Sequence, residues 1–212
     1  MKVYFISGLA ADKRVFKHIE LPPHCEIIHL DWITPIKKES LSAYSKRLGE
    51  KINCTEPFCV VGLSMGGMIA TEIARHYQPA HIILISSIPC SQHLPFYFKW
   101  AVNVRLHKIV PTRFVKSAAI AKRFFTNETK EDKIIIKQIV RDSDPKFIVW
   151  AMEAIATWQN NELPVSYIHI HGTKDEVLPH RLTQPTHTIF KGGHLMVMTR
   201  AKEINQILQE IL

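Results

Sequence analysis

The chain has 212 residues, 46% of them apolar, a length and composition that suit one α/β domain with a sizeable core. Its 27 Lys and Arg against 19 Asp and Glu give a formal net charge of +8, but no nucleic-acid recognition motif accompanies that charge, so nucleic-acid binding is not expected. No apolar run approaches the roughly 20 residues of a membrane span, and four cysteines (Cys25, Cys54, Cys59, Cys90) without metal-ligand pairing or a dense framework fit a reducing cytoplasm.

Met1-Lys2 followed by Val3 to Ala11 superficially mimics a short signal peptide. Its charged region is a single lysine, and Val3 to Ile6 serves better as a first strand. Asp12 is an N-cap that opens a helix through Phe16 and Ile19, and Ile27 to Leu30 is the next strand. Ser40 or Ser42 begins an amphipathic helix with Leu41, Tyr44, Leu48 and Ile52 on one face. A strand over Phe58 to Val61, a helix over Met68 to His76 and a strand over His81 to Ser86 follow. After a long interruption, strands resume at Val165 to Ile170 and Thr186 to Phe190, and Ile204, Ile207, Leu208 and Ile211 mark a closing helix. Six strand runs joined by helices predict an α/β fold: a mostly parallel sheet of about six strands, covered by helices on both faces.

The interruption lies between Pro89 and Asn160, where helices are separated by Pro95, Pro111 and Pro145. Its large apolar side chains (Phe96, Tyr97, Phe98, Trp100, Phe114, Phe124, Phe125, Phe147, Trp150, Met152 and Trp158) are expected to pack the segment on itself and on the sheet domain. From Ser91 to Asn160 there are 12 Lys and Arg against six acids. A solvated helical face accounts for that excess; a field that draws in anionic small molecules is the sharper reading.

Gly62-Leu63-Ser64-Met65-Gly66 carries the chemistry. A serine at a sharp strand-to-helix turn is held in a strained conformation that lifts its hydroxyl clear of the sheet, and the turn needs neighbours without side chains. A serine hydroxyl is a poor nucleophile until a histidine takes its proton and a carboxylate orients that histidine. Asp175 in His171-Gly172-Thr173-Lys174-Asp175 and His194 in Gly192-Gly193-His194 each follow a strand run. Each residue alone also has a plainer reading: Ser64 in an ordinary glycine-rich turn, Asp175 as acceptor for its own loop, His194 as a loop histidine. His169 and His171 are read as shaping the acid's loop.

The order Ser, Asp, His along the chain, with the Gly-x-Ser-x-Gly turn, resembles the α/β-hydrolase fold superfamily, in particular its small serine esterases with a helical cap. The resemblance implies a core of residues 1–88 and 161–212, a cap over 89–160 that lines an apolar acyl pocket, and Ser64, Asp175 and His194 as catalytic residues. The oxyanion would be met by the backbone N–H groups of Met65 and Leu9, the latter in Ile6-Ser7-Gly8-Leu9, where Ser7 stands in place of the family's frequent histidine. The family commonly has two further N-terminal strands, and this chain begins where the third would be. A serine at the turn favours acyl chemistry, so hydrolysis of a small carboxylic ester or thioester is expected, with no metal or organic cofactor. A hydrolase-fold lyase acting on an anionic substrate, or a non-catalytic small-molecule binder, remains the alternative; oligomeric state is not legible.

Overall fold

The computed structural model describes residues 1–98, 129–164 and 166–212. Trp100, Pro111, Phe114, Phe124, Phe125 and Val165, and the charged residues Lys99, Arg105, Lys108, Arg113, Lys116, Lys122, Arg123 and Glu128, lie outside the described residues. The strands are β1 (Lys2–Ile6), β2 (Glu26–His29), β3 (Phe58–Leu63), β4 (His81–Ile85), β5 (Ile168–Gly172) and β6 (His187–Ile189). They form one six-stranded sheet in the order β2-β1-β3-β4-β5-β6, every pair parallel. Strand β3 is buried along its whole length, as a central parallel strand covered on both faces must be.

Alternation sends successive side chains to opposite faces. Tyr4, Ile6, Val60, Ile82 and Leu84 meet one apolar cluster; Val3, Phe5, Val61, Ile83 and Ile85 meet the other. Helices α1 (Leu41–Gly49) and α2 (Met65–Tyr77) cover the first face. Ser40, of the two serines considered, caps α1 by accepting from the Ala43 N–H at 3.2 Å, and Leu41, Tyr44 and Leu48 form its buried stripe. Helices α3 (Lys130–Asp142) and α4 (Pro145–Ala156) come next. Phe147, Ala151, Ala154 and Ile155 of α4 join the cluster of α1 and α2, whereas Ile136 and Ile139 of α3 join the opposite cluster, with α5 (Met196–Thr199) and α6 (Ala201–Ile211).

Several elements depart from the sequence expectation. The run after Asp12 is a 3-10 turn over Lys13–Phe16. Its bonds span three residues, Val15 N–H to Asp12 and Ile19 N–H to Phe16, and Pro22 and Pro23 leave no room for a longer helix. Helix α2 starts three residues early because Gly66 and Gly67 lie inside it. Strand β5 runs on to Gly172, past the Ile170 at which the expected strand ends, because His171, polar by type, pairs with Thr188 of β6. Phe96 is 81% exposed, its ring meeting that of Tyr97 edge-on, while Phe147 and Trp158 are buried as expected.

Charged groups tie α3 to the loop that follows β1. Arg14 bridges Asp12 and Asp142 at 2.6 and 3.0 Å. Buried Asp132 accepts from Lys17 Nζ at 2.9 Å, His18 Nε2 at 3.1 Å and the Thr129 hydroxyl at 2.8 Å. Beyond the end of α3, the Ser143 hydroxyl reaches the Ala10 carbonyl at 3.2 Å. Among the described residues no helix is long and apolar enough to cross a membrane.

Candidate active site

Strand β3 delivers Ser64 to the point where α2 begins, with φ 54° and ψ −119°. That is a costly backbone for a residue with a Cβ, and the surroundings over-determine it. The Ser64 N–H donates to the Ile85 carbonyl at 2.9 Å; its carbonyl accepts from the Gly67 N–H at 2.9 Å and from the Ser87 hydroxyl at 2.6 Å. A Cβ on Gly62 would run into the Gly66 backbone, and one on Gly66 would run into the carbonyls of Ile6 and Ser7. Only glycine at both positions lets the strand turn into the helix here.

Asp175 follows β5. Its Oδ1 accepts from the N–H groups of Val177 and Leu178, both at 2.9 Å, so the loop is wrapped around one carboxylate oxygen. The other oxygen, Oδ2, lies 2.8 Å from His194 Nδ1 and 3.3 Å from His171 Nε2. Burial pushes the carboxyl up, yet its electrostatic interaction with His194 and the hydrogen bonds from both histidines outweigh it and hold Asp175 below the usual carboxylate range. His194 follows β6, and its loop is stitched to that of the acid: Lys174 N–H donates to the Gly192 carbonyl at 2.9 Å, and Lys191 N–H to the Thr173 hydroxyl at 2.8 Å.

His194 Nε2 lies 2.9 Å from Ser64 Oγ. The three side chains named from the sequence thus meet in a continuous line, although the serine and the histidine are 130 residues apart. With Nδ1–H given to the carboxylate, an imidazole in its neutral form turns the Nε2 lone pair toward the serine proton.

The loop after β1 runs beside the serine: a Cβ on Gly8 would stand 3.3 Å from the Ser64 Cβ. Leu9 follows in this loop, and Ala10 has φ 56°. Buried Ser7 donates to the Ala11 carbonyl at 3.0 Å, joined there by Trp32 Nε1 at 2.9 Å, so Ser7 braces its own loop. Met65 is the first residue of α2, where backbone N–H groups have no intrahelical acceptor. A cleft of about 600 Å³ borders Asp175 and is lined also by Tyr97, Thr173, Glu176, Pro179, His180 and Arg181. Sequence reading had no role for Ser87 and only a loop-shaping one for His171; their sole signal was position, each at the C-terminal end of a central strand.

A model of the alpha/beta hydrolase family matches residues 3–207. The chain belongs to the alpha/beta hydrolase family. No curated protein matches its sequence. Among solved structures it is similar to a thermophilic esterase from Thermogutta terrifontis, with TM-score 0.76 and 19% identity over 100% of this chain and 89% of that one. It is likewise similar to an enol-lactonase from Burkholderia xenovorans (TM-score 0.73, 14% identity, 98% and 89% covered) and to a bromoperoxidase from Bacillus anthracis (TM-score 0.72, 17% identity, 98% and 90% covered). At such identities these hydrolase-fold relatives establish the fold, and their differing descriptions show how many activities it carries.

Proposed function

We propose that this alpha/beta hydrolase is a serine hydrolase that cleaves a small carboxylic ester or thioester through an acyl-enzyme on Ser64. The reading rests on the position of His194, in hydrogen-bond reach of the Ser64 hydroxyl on one side and of the Asp175 carboxylate on the other. His194 takes the proton as Ser64 Oγ attacks the carbonyl carbon, and Asp175 holds the tautomer and stabilises the imidazolium. The N–H groups of Met65 and Leu9 meet the oxyanion, each such donor being worth about 10²–10³ in kcat. The leaving alcohol or thiol collects the proton from His194. Water then enters and gives a proton to His194 as its oxygen attacks the acyl carbon; the bond to Ser64 Oγ breaks as His194 passes that proton to the serine, and the acid leaves.

In this reading residues 1–88 and 161–212 form the catalytic core and 89–160 the cap that supplies the apolar part of the acyl pocket. The basic excess of 91–160 favours substrates that also bear a negative charge. The mechanism needs no metal or organic cofactor.

A fluorophosphonate probe tests the chemistry: it labels wild type and leaves Ser64→Ala unlabelled. Labelling retained in Ser64→Ala, or no labelling of folded wild type, overturns the reading. A panel of p-nitrophenyl esters of rising acyl length then measures the pocket, and paired neutral and carboxylate-bearing esters at low and high salt measure the anionic preference.

A further inference from the structure

Behind the acid stand two histidines that the mechanism does not use. His169 and His171 alternate along β5, so both side chains lie on the same face of the strand, and both are fully buried. His171 Nε2 lies 2.8 Å from the Leu178 carbonyl and 3.3 Å from Asp175 Oδ2; His169 Nε2 lies 2.9 Å from His171 Nδ1.

Chemistry fixes the protons. A carbonyl can only accept, so His171 Nε2 carries a hydrogen, shared between Leu178 and the carboxylate. Its Nδ1 then accepts from His169 Nε2–H, leaving His169 Nδ1 as a bare lone pair. That atom is buried without a hydrogen-bond partner. A doubly protonated His171 would instead drive the His169 proton onto Nδ1, beside the Ser87 backbone. Burial, with the neighbouring His171, pushes His169 down to about 3, so it stays neutral at ordinary pH.

We propose that His171, its tautomer set by His169, is a positioning residue that clamps the 175–178 loop and fixes Asp175 Oδ2 for His194. The clamp closes on both sides of one residue: Leu178 N–H holds Asp175 Oδ1 while the Leu178 carbonyl is held by His171. Oδ2 receives His171 and His194 together, so a shift of the loop misaligns the imidazole that faces Ser64. The proposal rests on the triad reading above, and its test separates the two.

Two substitutions divide donor from shape. His171→Phe keeps a buried ring and removes the donor; His171→Gln places an N–H₂ near the lost Nε2. His171→Phe lowers kcat by roughly 10–100-fold, the scale of a small misplacement of a catalytic group, with KM little changed, and His171→Gln restores most of it. In proton NMR the His194 Nδ1–H, bonded to a carboxylate, gives a low-field signal; it moves upfield or vanishes in His171→Phe and returns in His171→Gln. Nitrogen-15 spectra of wild type show His169 and His171 both as Nε2–H tautomers, which needs no variant to fold. A His171 protonated on Nδ1 in wild type, a His171→Phe enzyme with unchanged kcat and low-field signal, or a His171→Gln as impaired as His171→Phe overturns the proposal. Absence of Ser64-dependent turnover in wild type defeats the hydrolase reading alone, and the NMR signals still decide the clamp.

Discussion

Removing the Ser64 Cβ should stabilise this protein relative to removing its hydroxyl alone. Ser64→Ala and Ser64→Gly both lose Oγ and its bond to His194, so their comparison isolates the Cβ. With φ 54° and ψ −119° in place, a residue with a Cβ is held in a sparsely populated region, at a cost of about 1–3 kcal/mol. The Cβ also lies against Gly8. Opposing this, glycine gains freedom in the unfolded chain, which costs about 0.4–1 kcal/mol against alanine. The balance favours Ser64→Gly by about 0.5–2 kcal/mol, opposite in sign to the usual Ala-to-Gly effect. Urea unfolding of the two variants, compared at equal m-value, measures it directly. An alanine variant as stable as the glycine variant would refute the claim that the elbow stores strain.

Asp175→Asn keeps the shape but removes the charge that fixes the His194 tautomer, so kcat falls by about 10³–10⁴ with KM little affected, measured on whichever ester the panel identifies. For Asp132, burial raises the carboxyl while Lys17, Thr129 and His18 lower it further, leaving it at about 2 from an ordinary 3.8. A lowered carboxyl stabilises the fold fully above pH 4 and loses that contribution as pH falls from about 4 to 2. Asp132→Asn therefore destabilises at pH 7 by about 1–2 kcal/mol, allowing for screening of the part-exposed Lys17 and His18, and the gap from wild type in thermal melts closes toward pH 2. Trp158 Nε1 donates to fully buried Glu72 at 2.7 Å. Trp158→Phe strands that carboxylate oxygen and costs about 1–3 kcal/mol in urea unfolding, part of which Glu72→Leu restores in the double variant.

The meeting of Ser64, Asp175 and His194 is legible because each carries its own constraint: an elbow that tolerates only small neighbours, and loops at the ends of recognisable strands. The sheet was legible too, through the apolar runs of β1, β3 and β4. What sequence could not supply were partners across space. Ser87 looks like any serine after a strand, and nothing local reveals that its hydroxyl meets the Ser64 carbonyl. His171 blurs the end of β5, since an imidazole reads as a strand's exit until a flanking strand pairs with it and buries it. The 3-10 turn after Asp12 reads as a helix in the sequence because its spacing of apolar residues, Val15, Phe16 and Ile19, serves either geometry.

The ties running from Arg14, Lys17 and His18 to Asp142, Glu131 and Asp132, and from Ala10 to Ser143, have a practical corollary. A chimaera that borrows residues 129–146 from another member of the family would meet a foreign set of charges on residues 10–18 and tug on the backbone that flanks Leu9. Swaps meant to alter selectivity should therefore exchange both stretches as one module.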